Sequence, residues 1–440
     1  MTIALTITAY FVGLVVLYYA TLFGISFLHR GPDGEDPGLT FVIFVPALDE
    51  EAVIAATLNS LLELDYQRFV ICVADDASTD ATPAILARYR DDPRVIVLTR
   101  REPRARRGKS DVLNDCFEAT LDALSSAHPL LGGVDPAKVI AGIVDADGRL
   151  DNNTLRAVAP YFGDPGVASV QIGVRIANAG TNLLTRMQDM EFVGFSAFVQ
   201  RARDRLGSSG LGGNGQFTRL SALTELSQLR DGPWDLDALT EDLELGLALI
   251  CMGWRTRFCP SVYVAQQGLP AWRPLFRQRT RWIQGHYACW RYLPKLARAS
   301  VPLRCRLDLS FYLLLIVTVV VVSFSVVISA LGAAGVITTH SDFLSFLAPG
   351  RGHNTVSLAF ALTPLAVFMF AYQRHAARPF RFWEVPAAGL IFTAYTYVWI
   401  FATIRALLRS LGGRNNWVKT PRVAELPAPA ESDPPLLGRG

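Results

Sequence analysis

Hydrophobicity in this chain is gathered into blocks, and the blocks limit what it can fold into. Ile3 to Leu28 is apolar without one charged side chain, and three apolar stretches come late: Leu307 to Ile337, Thr355 to Tyr372 and Val385 to Leu408. At ~1.5 Å of rise per helical residue, runs of this length reach across a hydrocarbon layer of ~30 Å. Between Leu39 and Cys305 there is no such run, and charges recur every few residues. Composition agrees, with 51% of residues hydrophobic and 18% charged, against roughly 25% charged in an average soluble domain. A disordered chain is excluded, and a wholly soluble globule is disfavoured. The net charge of +3 is too near balance for a nucleic-acid binder. Six scattered cysteines show neither a CxxC pair nor zinc-finger spacing.

The blocks suggest five regions. Residues 1–30 read as an N-terminal transmembrane anchor, 39–260 as a cytoplasmic catalytic-sized domain and 261–304 as amphipathic interfacial helices. Residues 305–411 read as a membrane region of about three segments, followed by a tail, 412–440, that is rich in Pro and small residues after Arg422 and expected to be disordered. A cleaved signal peptide would want a basic start and a small-residue cleavage site. This run starts without Lys or Arg and ends in His29-Arg30, which favours an uncleaved anchor with the polar domain on the cytoplasmic side of a cell membrane. The multi-pass topology then meets a conflict. Three spans after a cytoplasmic domain would leave the tail outside, yet Arg405, Arg409 and Arg414 mark it as cytoplasmic. One of the three apolar stretches would have to be interfacial or re-entrant.

Within the polar block, short β-branched runs alternate with helical stretches. Phe41–Pro46, Phe69–Ala74, Val95–Leu98 and Val139–Val144 have strand character, with helical spacing over Glu50–Leu64, Ala81–Tyr89 and Lys109–Leu124 between them. Such alternation predicts an α/β domain with a mainly parallel sheet flanked by helices. Ligands of such sheets gather at the carboxyl ends of the strands. Acids stand at those ends: Asp49-Glu50, Asp75-Asp76, and Asp145 with Asp147.

Crowded carboxylates repel unless a cation neutralises them. Asp145-Ala146-Asp147 offers two carboxylates on one face of an extended segment. That pair suits Mg²⁺ or Mn²⁺, which takes the rest of its shell from water and a diphosphate. Alone, D-x-D is close to chance and a solvated turn would explain it; its place at a strand end beside two other acidic ends favours function. A basic segment, Arg100 to Lys109, precedes a helix start and forms either a solvated loop or an anion site centred on Lys109. It lacks the first glycine of a P-loop. Thr240-Glu241-Asp242 opens another helix, where its acids either supply a general base or only favour the helix N-terminus. Gln278-Arg279-Thr280-Arg281-Trp282 lies just before the membrane region, and serves either a lipid-surface helix or a sugar cleft beside a pyrophosphate.

Taken in order, VPALDEE (45–51), VADDASTDAT (73–82), RGKSDVLN (107–114), DADGRL (145–150), VQIGVRIAN (170–178), GGNGQF (212–217), TEDLELG (240–246) and QRTRW (278–282) resemble the membrane-embedded, inverting glycosyltransferases of family 2. That group includes cellulose, chitin, hyaluronan and poly-N-acetylglucosamine synthases, and the last motif marks its polysaccharide-making branch. The resemblance implies a GT-A-like fold. It places Ala47, Glu50, Asp75 and Asp76 on the uridine of a UDP-sugar and Lys109 on its diphosphate. Asp145 and Asp147 match the D-x-D pair, the second ligating Mg²⁺ or Mn²⁺; Asp242, with Glu241 beside it, matches the base that takes the acceptor's proton. Gln278, Arg281 and Trp282 match the donor-stabilising and acceptor-stacking set, and Gly213 and Asn214 fall in the acceptor segment. Two departures stand out. Asp49 replaces the usual Asn, and Gly212-Gly213-Asn214-Gly215 replaces an aromatic-Cys-Gly-Ser type sequence, which allows a different acceptor sugar or linkage. Asn416 to Arg422 resembles a tryptophan-lysine-threonine element found after the last membrane segment of some relatives.

The leading expectation is a processive synthase that extends a glycan at the cytoplasmic face and passes it through the membrane, with room for accessory secretion subunits. The alternative is a single transfer of sugar to a lipid acceptor, which needs no conduit. A transporter or receptor would carry charges within its spans, and these have essentially none between their ends. A non-catalytic glycan-binding subunit would have no use for Asp145, Asp147 and Asp242 together.

Overall fold

In a computed structural model, the described residues are 2–32, 34–333 and 365–413. The Asn416–Arg422 element, the tail and the first part of the Thr355–Tyr372 run lie outside them. The polar block folds around one eight-stranded sheet. Its strands are β1 (Thr40–Ala47), β2 (Phe69–Asp75), β3 (Val95–Thr99), β4 (Val139–Ile143), β5 (Arg149–Leu150), β6 (Val167–Ile176), β7 (Gln216–Arg219) and β8 (Arg255–Gln266). Their order is β3-β2-β1-β4-β7-β6-β8-β5.

β1 shows why this block forms a sheet with both faces covered. Val42 and Phe44 point into one core, while Phe41, Ile43 and Val45 point into another, as period-two alternation requires. The first core is closed by helix α3 (Lys109–Ser125) through Leu113, Cys116 and Leu124. The second is closed by α2 (Ile54–Leu62) through Ile54, Leu58 and Leu61. β3, β2, β1 and β4 are mutually parallel.

The expectation of a mainly parallel sheet needs correction. β7 runs antiparallel to both β4 and β6, and β5 runs antiparallel to β8, so the sheet is mixed. The reason is local: β7 follows the glycine-rich turn at 212–215, and its first residue pairs with Ile143, just ahead of the D-x-D loop. The reversed strand thereby delivers the 212–215 loop to the carboxyl end of β4. The last strand also continues to Gln266, past the expected limit at residue 260.

Around the domain lie α4 (Leu183–Gly194), α5 (Glu241–Cys251) and α6 (Trp272–Ala288). The apolar blocks are helical: α1 (Thr2–Ser26), α7 (Leu303–Ala333) and α8 (Val385–Leu411). Among the described residues one helix, Phe382–Leu411, is long and apolar enough to cross a membrane, and Gly13–Ser26 is a shorter apolar helix. α1 and α7 are tied to the domain by buried polar contacts. Tyr18 donates to Asp308 at 2.8 Å, and Arg203 of the domain lies 3.1 Å from the same carboxylate and 3.9 Å over the Tyr312 ring.

Arg100, buried at the end of β3, holds the parallel half together. Its guanidinium meets Asp76 after β2 and both Asp111 and Asp115 on α3. Removing one member of a buried ionic cluster leaves the others uncompensated. Arg100→Met should therefore destabilise the domain by about 3–5 kcal/mol at neutral pH, read as the denaturant midpoint of the detergent-solubilised protein. A midpoint unchanged from the native one would show that these carboxylates are satisfied without the arginine.

Candidate active site

Every expected site segment outside the last motif meets at the carboxyl ends of β1, β2 and β4. Asp76 N–H donates to the Ala47 carbonyl at 2.8 Å, joining the first two acidic turns. Asp49, at φ +49°, accepts from Thr79 N–H at 2.6 Å. Glu50 is buried, its own N–H donating to Thr82 Oγ1 at 2.8 Å. Asp75 Oδ1 accepts from Ser78 N–H at 3.1 Å. Asp76 is bound to Arg100 and accepts from Arg106 N–H, so it acts as an internal anchor of this corner. Burial holds its carboxyl above the usual range even against those two donors.

The D-x-D pair is fixed from two sides. Asn214 Oδ1 accepts from Asp145 N–H at 3.2 Å, and Gln267 N–H donates to Asp147 Oδ2 at 3.1 Å. Asp147 is only 1% exposed. Two hard carboxylates at one strand end fit Mg²⁺ or Mn²⁺ by their chemistry. Among the described residues no group of three or more His, Cys, Asp and Glu is arranged to hold an ion. Asp145 and Asp147 are the residues that would hold such an ion.

Lys109, the first residue of α3, reaches across the cleft. Its Nζ lies 2.6 Å from Asp145 and 3.4 Å from Glu241. Burial alone would lower its pKa, but Asp145, Glu241 and Asp242 outweigh it and keep the ammonium above its ordinary value. Asp242 stands in the opening turn of α5, its Oδ1 accepting from Leu243 N–H at 2.8 Å. Burial, then the charge of Glu241, pushes its carboxyl up to about 7, while Lys109 and Arg281 pull the other way. Gly213, at φ +75°, closes the ring: a Cβ there would meet Asp242 at 3.4 Å and Lys109 at 3.5 Å. Lys109, Asp145, Glu241, Asp242 and Gly213 thus form one constellation, with Arg281 beside it donating to the Leu239 carbonyl at 2.8 Å.

Trp282 faces the apolar helices, while Gln278 bonds within its own motif. Gln278 accepts from Arg279 at 2.8 Å, and Trp282 packs 6.3 Å from both Phe192 and Trp399.

Several residues that shape the site carry no motif signal of their own. Gln171 of β6 accepts from Gly212 N–H at 2.8 Å and donates to the Asn214 carbonyl at 2.9 Å. Gln200, in a π-helical turn, holds both backbone groups of Gly210. Two buried amides therefore pin the glycine-rich loop. Gly285 of α6 lies so close to Thr240 that a Cβ would sit 2.3 Å from its hydroxyl, fixing the start of α5 against α6. Glu244, two residues on from Asp242 in the same opening turn, is buried among Arg230, Arg291 and Tyr292 and anchors that helix from beneath. A glutamine in a strand and a glycine in a helix have no spacing signature, so nothing in the sequence marks them.

The glycosyltransferase-like family 2 sequence profile matches residues 37–285. A β-monoglucosyldiacylglycerol synthase of Synechocystis sp. is 34% identical over 254 residues, 57% of this chain and 48% of that protein. A poly-β-1,6-N-acetyl-D-glucosamine synthase of Staphylococcus aureus is 25% identical over 285 residues, 62% of this chain and 61% of that protein. The chain thus spans about half the length of the first of these relatives and less than two thirds of the second. Among solved structures, the mannosyltransferase PcManGT of Pyrobaculum calidifontis, in complex with GDP-Man and Mn²⁺, superposes with a TM-score of 0.61 at 20% identity. It covers 94% of this chain and 99% of its own, and shows the shared GT-A-like fold.

A raised carboxyl pKa has a defined sign. The folded chain holds the Asp242 proton more tightly than the unfolded one, so this group's stability contribution is full below about 3.8 and is lost as pH rises through about 7. A base works only when ionised, so sugar-transfer rate should climb with pH along a limb centred near about 7. Glu241→Gln removes a raising charge and should move that limb to lower pH. A rate profile flat through neutrality would exclude Asp242 as the titrating base.

Proposed function

Since the chain belongs to the glycosyltransferase-like family 2, we propose that it moves one sugar from a UDP-sugar to the hydroxyl of a membrane lipid, inverting the anomeric carbon. The observation that carries this reading is the 34% identity to a β-monoglucosyldiacylglycerol synthase through the catalytic domain, against 25% to the polysaccharide synthase. It favours the single-transfer alternative over processive synthesis. Processive synthesis is kept as a second reading because the polysaccharide synthase relative matches across 62% of this chain.

In this scheme Ala47, Glu50 and Asp75 line the nucleoside end of the donor, with Asp76 shaping that wall through Arg100. Lys109 exchanges its contact with Asp145 for the diphosphate. Asp145 and Asp147 would hold Mg²⁺ or Mn²⁺, which would supply positive charge to offset that building on UDP. Arg281 and Gln278 hold the donor, while Trp282, Gly213 and Asn214 border the acceptor. Asp242 takes the proton from the acceptor hydroxyl as its oxygen bonds to the anomeric carbon and the bond to UDP breaks on the opposite face. UDP leaves with the electron pair. We place the catalytic domain at the cytoplasmic membrane face, anchored through α1 and α7.

Purified protein in nanodiscs, given a panel of UDP-sugars with Mg²⁺ or Mn²⁺ and diacylglycerol, should release UDP and yield a lipid bearing one sugar. A polymer as the product would overturn the single-transfer reading. Asp242→Asn should lower turnover by roughly 10²–10⁴-fold, the usual worth of a positioned base, while UDP binding by calorimetry persists. Turnover that survives EDTA undiminished would remove the metal from Asp145 and Asp147.

A further inference from the structure

α8 is apolar enough to cross a bilayer, but its neighbours argue otherwise. One stripe of it is buried, including Ala388, Phe392, Tyr395, Ala402 and Ala406. Much of the cover comes from the catalytic domain. Tyr395 and Trp399 both donate to Glu191 of α4, which also pairs with Arg279 of α6 at 2.6 Å. Further along, Arg405 lies 5.2 Å over the Phe276 ring, and Arg409 donates to Gln284 at 3.1 Å. α6 also bears the exposed Arg273 and Arg277, and its Arg279 is fully buried. Carrying α8 through the hydrocarbon would carry this arginine-rich helix with it, and ionised groups at that depth are strongly disfavoured.

The opposite stripe of α8 is open. Leu390, Tyr397, Phe401, Leu408 and Leu411 are exposed, Leu390 to 74% and Leu411 to 78%. Their spacings of seven, four, seven and three put them on one line, facing away from the buried residues. Exposed Phe382 and Trp383 precede the helix, and Arg405 and Arg409 stand in its final turns. An apolar stripe with aromatic and cationic groups at its ends matches the boundary between acyl chains and headgroups.

We propose that α8 lies in the plane of the membrane surface, its exposed stripe in lipid and its other face roofing the donor helix α6. The occupant of the stripe is the bilayer itself. The arrangement removes the topological conflict in the sequence: with α8 in plane, only two apolar runs follow the catalytic domain as spans, and the basic tail stays on the domain's side. It does not depend on which acceptor receives the sugar.

The test is a depth profile. Nitroxide labels at Leu390→Cys, Phe401→Cys and Leu408→Cys, in full-length protein carrying Cys251→Ser and shown to bind UDP, are placed in nanodiscs. Collisions with oxygen and with a nickel chelate give the depth of each. In-plane α8 puts all three within about one helix radius of a common shallow depth. Leu390 and Leu408 are separated by about 27 Å at ~1.5 Å per residue, so a crossing helix would spread the three depths by a large part of that length. Such a spread overturns the proposal. Labels shielded from both collision partners would show a protein or a second copy on the stripe, and would overturn it equally.

Discussion

The site depends on one ammonium group among three carboxylates. Lys109 lies within hydrogen-bonding distance of Asp145, is close to Glu241 and is electrostatically coupled to Asp242. Without it, the negative groups gathered at these strand ends would repel, and each would have to take up a proton or draw in a cation. With it, the two ends of the chemistry are wired together. The group assigned to the donor diphosphate also stabilises the ionised form of the group assigned as base. In the proposed reaction, a diphosphate that draws Lys109 away from the acids would raise the proton affinity of Asp242 as the acceptor hydroxyl arrives. Positive charge at the D-x-D pair would oppose that rise. The groups assigned to the base and to the leaving-group site are therefore one electrostatic unit.

Such a unit works only if its parts hold still. The fold supplies rigidity with few groups. Glu244 fixes α5 from within the core, Gly285 lets α6 approach Thr240 without a side chain between them, and Gln171 and Gln200 hold the glycine-rich loop by its backbone. Gly213 and Gly215 both take positive φ, a conformation that suits glycine and lets that loop pass beside Asp242. Preorganised donors and acceptors gain their effect because nothing has to reorganise during reaction. Here the preorganisation is built from buried amides, absent side chains and the ion pairs of Glu244 with Arg230 and Arg291.

The parallel half of the sheet was legible because its strands are short β-branched runs and its acids fall at strand ends. β1, β2, β3 and β4 lie within a residue or two of where their runs place them. The other half, where β6 and β8 are parallel but β7 and β5 are reversed, was not. β5 is two residues long, and β7 is four residues with Gln, Thr and Arg among them, so their pairing is set by tertiary contacts rather than by pattern. In the site, Lys109, Asp145 and Asp242 carry charge into a cleft and could be named from sequence. Gln171 and Gly285 matter through what they permit the backbone to do, which residue type alone does not encode. Arg279 sits inside a motif read for its neighbours, yet it is the member that bonds to the rest of the protein through Glu191.

That bond bears on which acceptor the site can serve. Glu191 gathers Arg279 from the donor helix and Tyr395 and Trp399 from α8, so the donor cleft has a fixed height relative to α8. If α8 floats at the lipid surface, the cleft is held near the headgroup level, where a lipid acceptor would reach it by lateral diffusion. A growing polymer would instead need a passage across the bilayer. With α8 in plane, α1, α7 and the run Thr355–Tyr372 remain to build one. A shallow α8 would thus shorten a lipid's path to the site and leave fewer apolar runs for a polymer's path away from it.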